Sequence, residues 1–247
     1  PDDPVSKYIP EYKGLKVAIP LESEGKDIQL KIKAKNKLIK KPTSKTNAKK
    51  KNGWYANNKK EVPKYRLEKV HRPLTIHDLL THTAGLGTKG GLGSRIVTDR
   101  ALPTDTLATW VPRMAAKPLD FQPGTRWAYS PGSGLMVVAR IIEIASKMSL
   151  HEFVQTRILN PLNMKDTYWD VPVDQLSRMP NKFHKKAKGN GRFVGKDLSA
   201  YVSNAGGLFS TTRDYLHFQQ MLLNGGTLFG NQILKPETVA MMTANQV

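Results

Sequence analysis

"FQPGTRWAYSPGSGLMVVARIIEIASKM", residues 121–148, decides how this chain is read. A Pro-Gly turn (Pro123-Gly124) leads into a stretch with an aromatic hydroxyl, Tyr129, followed by serines, a proline and glycines. An apolar run from Leu135 to Met148 comes next. Gly, Ser and Pro interrupt regular structure, so the turn ends at a helix start. The run is apolar on most faces, which predicts a buried central helix over 134–147. A tyrosine held at the mouth of such a helix is placed as a general base would be. It is equally placed as a packed loop aromatic would be.

Helical patterns surround it. "LTIHDLLTHTAGL" (74–86) offers Thr75 as N-cap and Gly85 as stop, predicting a helix over 75–83. "TDTLATWVPRMAA" (104–116) predicts a helix near 105–116, with Pro112 at a kink or end. Ser149, with Glu152 three residues on, forms a capping-box pattern opening a helix over 150–158. "STTRDYLHFQQMLLNGG" (210–226) predicts a helix over 211–223 that buries Leu216, Met221 and Leu222 and stops at Gly225-Gly226. "KPETVAMMT" makes a last short helix with Pro236 in its first turn. Strand signals are few. "IQLKIKA" (28–34) alternates with a period of two, and "YRLEKVH" (65–71) could return as its partner.

Composition bounds the function. The 247 residues include no Cys, which excludes disulfides, thiolate nucleophiles and Cys-based zinc sites. No window approaches eighteen unbroken apolar residues, so no membrane span is expected. The formal charge is +19, but it is concentrated: Lys31 to Arg66 holds thirteen Lys and one Arg against Glu61 alone, a net +13. A run of like charge reads as a solvated loop, with contact to an anionic surface through residues 31–66 as the functional alternative. Nucleic-acid binding rests on charge alone and is disfavoured. The histidines show no metal-ligand spacing, and the pattern calls for no cofactor. The Gly-rich "GTKGGLG" (87–93) lacks the Gly-Lys-Ser/Thr ending of a phosphate loop and reads as a flexible loop bordering a cleft. His82, at the end of the first helix, reads as structural.

Five segments together carry a resemblance. "DDPVSKYIPEY" (2–12), "LTIHDLLTHTAGL" (74–86), "FQPGTRWAYS" (121–130), "LNPLNMKDTYW" (159–169) and "NAGGLFSTTRDYLHFQQMLLNGG" (204–226) are similar, in order and spacing, to the serine β-lactamase-related hydrolases. That family holds class C β-lactamases, D-Ala-D-Ala carboxypeptidases and related esterases. The resemblance implies an α+β, β-lactamase/transpeptidase-like fold. It would be seen here mainly as the helical lobe with a small antiparallel β element, most of the family sheet being absent. The division expected is an N-terminal segment with the β element and Lys-rich insertion (1–74) and a helical lobe (75–247). The resemblance favours a periplasmic or secreted location and a small-molecule ester or cell-wall peptide-like substrate.

The family forms an acyl-enzyme with three motifs: Ser-x-x-Lys, Tyr-x-Asn and Lys/His-x-Gly. The resemblance makes Tyr129 the catalytic tyrosine and puts Ser130, Pro131, Ser133, Gly206 and Gly207 at the substrate. Pro131 stands where the family carries an amide, which weakens the β-lactamase and peptidase readings and strengthens the esterase one. The single Ser-x-x-Lys, Ser23 to Lys26, contains Gly25 and precedes a predicted strand rather than opening a helix. It is therefore rejected as the nucleophile motif. No Lys/His-x-Gly follows Gly207. The expectation is an internal piece of a serine hydrolase, inactive alone. The alternative is a non-catalytic protein using the same fold as a binding scaffold.

Overall fold

The computed structural model describes residues 1–21, 62–88, 90–102, 104–130, 133–179 and 208–246. The expected strand over 28–34 and most of the Lys-rich stretch lie outside the described residues.

The chain opens with two 3₁₀ turns, Val5–Lys7 and Pro10–Tyr12, which bury Val5, Ile9 and Tyr12. The Tyr12 hydroxyl donates to the Val111 carbonyl at 3.1 Å, and burial pushes its ionisation far up. β1 (Lys16–Pro20) pairs antiparallel with β2 (Tyr65–Lys69), Ala18 opposite Leu67. The strand near 65–71 is therefore present, ending at Lys69. The partner it has among the described residues is 16–20, a stretch too short and too mixed to show alternation. The other edge of β1 is taken by Leu119, which exchanges backbone bonds of 2.9 and 2.8 Å with Ala18 and Lys16.

α1 (Ile76–Leu80) starts as the sequence predicts. Thr75 accepts the Asp78 amide, and Asp78 accepts the Thr75 amide at 3.0 Å. It stops at Leu80, short of the predicted residue 83, because Thr81 leaves helical geometry and His82 takes φ 60°. α2 (Leu92–Ile96) was not anticipated. α3 (Leu107–Met114) has Thr106 as its N-cap and carries Pro112 inside, two residues from its end.

α4 (Ser133–Ser146) is the central helix expected, burying Gly134, Met136, Val137, Ala139 and Ile141. It crosses α1 closely at Gly134, where an added Cβ would lie 3.2 Å from the Leu79 carbonyl oxygen. Around it lies one apolar cluster that joins the N-terminal turns (Val5, Ile9, Tyr12), α1 (Leu79), α3 (Trp110, Val111, Met114) and α4. Burial of each such side chain stabilises by about 1.5–3 kcal/mol.

The helix predicted over 150–158 is divided. α5 (Leu150–Val154) is α-helical, with Ser149 accepting the Glu152 amide at 3.1 Å. A π-helical turn follows over Gln155–Leu159, closed by the Asn160 amide on the Gln155 carbonyl at 2.9 Å. α6 (Thr212–Leu223) is capped by Thr211 and precedes the short hairpin β3 (Thr227–Leu228) and β4 (Asn231–Gln232). α7 (Pro236–Thr243) has Pro236 at its start. Met221 is fully buried and Leu222 half-buried, but Leu216 is 56% exposed, contrary to the pattern reading. The buried residues of α6 are Asp214 and Met221, so its inward face begins with a carboxylate. Met221 joins Leu159, Leu162, Met164 and Leu228 in a second, smaller cluster.

Candidate active site

Tyr129 stands on the loop that enters α4, 55% exposed, as is Trp127 two residues earlier. Its hydroxyl has no hydrogen-bond partner among the described residues. The residues beside it are held firmly. Ser130 is buried, its hydroxyl donating to the Leu86 carbonyl at 2.5 Å and facing the Gly134 amide at 3.4 Å. Ser130 thus ties the tyrosine loop both to the segment after α1 and to the first turn of α4. This commits the hydroxyl within the fold. Ser133, first residue of α4, is half-buried and packs against Gly87 so closely that an added Cβ there would overlap its side chain. Pro131, Gly206 and Gly207 lie outside the described residues.

His82 was read as structural, yet its ring packs against the tyrosine ring. The two ring centroids lie 4.9 Å apart at 57°. Trp127 meets His82 edge-on at 6.3 Å. No spacing rule connects residues 82 and 129. The signal that could have found the pair is that both belong to the segments carrying the resemblance.

The Gly-rich stretch is not a free loop in its described part. Asp120 gathers it: Oδ1 accepts the Gly93 amide at 2.7 Å, and Oδ2 accepts the Thr88 amide at 3.2 Å and the Thr88 hydroxyl. A Cβ on Gly91 would enter the Asp120 carboxylate, and one on Gly93 would strike the Pro118 carbonyl. These glycines are needed for close packing, which is the opposite of the flexibility first assigned.

Two more carboxylates anchor the framework. Asp78, 1% exposed, receives both arms of Arg72 at 2.7 Å, the Thr75 amide and hydroxyl, and the Thr83 hydroxyl at 3.1 Å. Burial raises its carboxyl, but the Arg72 guanidinium and the Thr75 donors outweigh burial and hold it below the usual value. Asp214, 4% exposed, accepts the Asp166 amide at 2.7 Å and the Thr167 hydroxyl at 2.8 Å. It thereby joins two segments that are 48 residues apart, beside the reciprocal backbone pair of Tyr168 and Phe209 at 2.7 and 2.8 Å. A pocket of about 130 Å³ opens next to them, lined by Tyr168, Phe209 and Arg178. Arg178 is bound to Asp166 at 2.7 and 2.9 Å, so the two charges offset each other.

Comparison with known proteins gives a consistent result. The Beta-lactamase family model matches residues 1–247. A Mycobacterium tuberculosis protein is 31% identical over 194 residues, covering 75% of this chain and 47% of its own length. A putative D-alanyl-D-alanine carboxypeptidase of Salmonella typhimurium is 28% identical over 204 residues, covering 74% of this chain and 46% of its own. The chain thus spans about half the length of these curated relatives. Among solved structures, simvastatin synthase from Aspergillus terreus matches with a TM-score of 0.62 at 20% identity, over 98% of this chain and 50% of that one. A hydrolase with promiscuous acyltransferase activity matches at 0.60 and 19%, over 100% of this chain and 57% of that one. These structures share the fold. Among the described residues no helix is long and apolar enough to cross a membrane.

Proposed function

The chain belongs to the Beta-lactamase family, and on that premise we propose that it supplies the tyrosine side of a serine hydrolase site that works through an acyl-enzyme. The observation that carries this reading is Tyr129 itself: an exposed phenol on a loop whose neighbours are pinned at the mouth of a buried helix. A general base must be held still while its reacting atom stays accessible. The Ser130 tether provides the first, and a 55% exposed residue whose hydroxyl has no partner among the described residues provides the second. Tyr129 is the acid/base group in this proposal. Ser130 is assigned to holding the loop, and Ser133, Gly206 and Gly207 to the border of the substrate.

The nucleophile belongs to sequence other than these 247 residues, because Ser23-Glu24-Gly25-Lys26 does not fit the helix-opening pattern the chemistry needs. The substrate proposed is a short-chain ester. Proline at 131 has no side-chain donor to polarise a β-lactam or peptide carbonyl, and an ester carbonyl is intrinsically more reactive. The Salmonella relative's name points instead to a D-Ala peptide. The Lys31–Arg66 stretch, net +13, is proposed to adsorb to anionic surfaces in a salt-sensitive way.

The test uses the longer reading frame that includes the nucleophile motif. Short-chain nitrophenyl esters should be hydrolysed and a chromogenic cephalosporin barely touched. Tyr129→Phe should lower turnover by about 10²–10⁴-fold. Near-normal turnover in that variant returns Tyr129 to a packing role.

A further inference from the structure

Four consecutive residues of the tyrosine loop touch one side chain or its backbone. The His82 carbonyl accepts the Ala128 amide at 3.1 Å. The His82 Nδ1 faces the Ser130 amide at 3.4 Å. Its ring lies 4.9 Å from the Tyr129 ring and 6.3 Å from that of Trp127. His82 does this from the left-handed region, at φ 60°, where residues other than Gly, Asn, Asp and His are uncommon.

We propose that His82 is the positioning residue for Tyr129, its imidazole forming the wall that fixes the direction of the phenol. The role rests on the reading of Tyr129 as the acid/base group and deepens it. Two parts of His82 act separately. The backbone sets the height of the loop through Ala128. The ring sets the orientation of Tyr129, since the Tyr129 hydroxyl finds no hydrogen-bond partner among the described residues and ring contact is what remains to orient it. Nδ1 is the ring atom that faces the Ser130 amide, as an acceptor would. The same nitrogen therefore keeps the ring from turning, which a plain aromatic could not do. A misplacement of about 1 Å in a catalytic group costs on the order of 10²-fold in rate, so a wall of this kind bears on turnover rather than on binding.

A purely structural residue at this position would need only to tolerate a positive φ. His82→Asn tolerates it and puts an acceptor, Oδ1, where Nδ1 stands, but removes the ring. His82→Phe keeps a ring and removes the acceptor. In the 247-residue chain, the ring resonances and ring–ring NOEs of Tyr129 report its orientation. His82→Asn should keep the fold and the slow exchange of the Ser130 amide while the Tyr129 ring loses its fixed contacts. In the longer reading frame the same variant should lower kcat on a nitrophenyl ester about 10–100-fold with KM within twofold. His82→Phe, where it folds, should recover part of that kcat and lose the Ser130 protection. Should His82→Asn not fold, His82→Gly, free of strain at positive φ, replaces it with the same expectations for Tyr129 and kcat, and with the Ser130 protection lost because glycine carries no acceptor.

A folded ring-less variant in which Tyr129 keeps a single ring orientation, read from its NOEs to residues other than 82, overturns the proposal, as does an unchanged kcat in a protein whose Tyr129→Phe variant is impaired. If Tyr129→Phe itself turns over normally while the ring is freed in His82→Asn, the positioning stands and the acid/base reading of Tyr129 is what fails.

Discussion

Arg72 reaches Asp78 with both guanidinium arms, 2.7 Å each, and in doing so places its own partly exposed charge over a carboxylate that is 1% exposed. The pair secures the first turn of α1, the helix that leads to His82 and packs on α4. Removing Arg72 leaves Asp78 buried with only its threonine donors. A fully buried pair broken this way costs about 3–5 kcal/mol, and the 44% exposure of the Arg72 side chain lowers that. Arg72→Ala should destabilise by about 2 kcal/mol in urea unfolding at pH 7.

The same pair gives a pH dependence. Asp78 sits below its ordinary value in the folded chain, since Arg72 and Thr75 together outweigh the effect of burial. A depressed carboxylate contributes stability that is fully present above its unfolded pKa, about 3.9, and is lost as pH falls through the lower folded value. Asp105, lowered chiefly by the Leu102 amide, and Asp166, lowered chiefly by Arg178, act in the same sense. Unfolding free energy should therefore hold steady from pH 7 to about 4 and decline below it. In Asp78→Asn the decline should be shallower. An equal slope in the two proteins would remove Asp78 from the account.

Gly93 faces the Pro118 carbonyl with no room for a methyl group. Backbone on the far side cannot swing away as a side chain would. Gly93→Ala should cost about 3 kcal/mol, as overpacking does, and should loosen the Asp120 contacts with Thr88. Gly90, whose Cβ direction is open, controls for the loss of a glycine, though its φ of 78° makes alanine strained there by itself. Thermal unfolding of Gly93→Ala indistinguishable from wild type would show that the 87–93 stretch yields easily.

Ser130 separates holding from binding. Alanine in its place leaves the Leu86 carbonyl and the Gly134 amide without their partner, a loss of about 1–3 kcal/mol for buried groups. In an active longer protein, Ser130→Ala should reduce stability and kcat and leave KM within twofold. A large rise in KM with stability intact would put the hydroxyl at the substrate after all.

Asp214 should matter more than its place on a helix suggests. Asp214→Ala strips partners from the Asp166 amide and the Thr167 hydroxyl at once. The expected loss is about 2–4 kcal/mol, and the Tyr168–Phe209 backbone pair should exchange its amide hydrogens faster. Unchanged exchange at Phe209 would show that the pair stands without the carboxylate.

The helices were legible because their signals are local. Thr75, Ser149 and Thr211 announce starts through side chains that reach two or three residues ahead, and the run after Leu135 is too apolar for any surface. What was not legible is non-local. Asp120 looks like any loop acid until it meets the amides of Thr88 and Gly93, some thirty residues away in sequence. Asp214 reads as a capping-turn acid, and its second use, on Asp166 and Thr167, depends on the tertiary fold. Leu216 was misplaced because a helical stripe read from hydrophobicity assigned the inward face to leucines. His82 is the instructive case within the site. Its sequence context describes a helix ending, and its meaning comes from a loop 47 residues later.

The π-helical turn after α5 has a consequence for the phase of the helix it ends. A turn closed five residues back holds one residue more than a usual turn, which shifts the side chain at its end by roughly 100° around the axis. Leu150, before the turn, lies in the larger cluster, whereas Leu159, the last residue of the turn, and Leu162, just beyond it, lie in the smaller one, with Val154 touching both. One extra residue thus lets a single run of chain serve two cores that do not share a side. Deleting Thr156 should restore an ordinary turn and rotate Leu159 away from Met221, so the smaller core should melt while the larger one keeps its cooperativity.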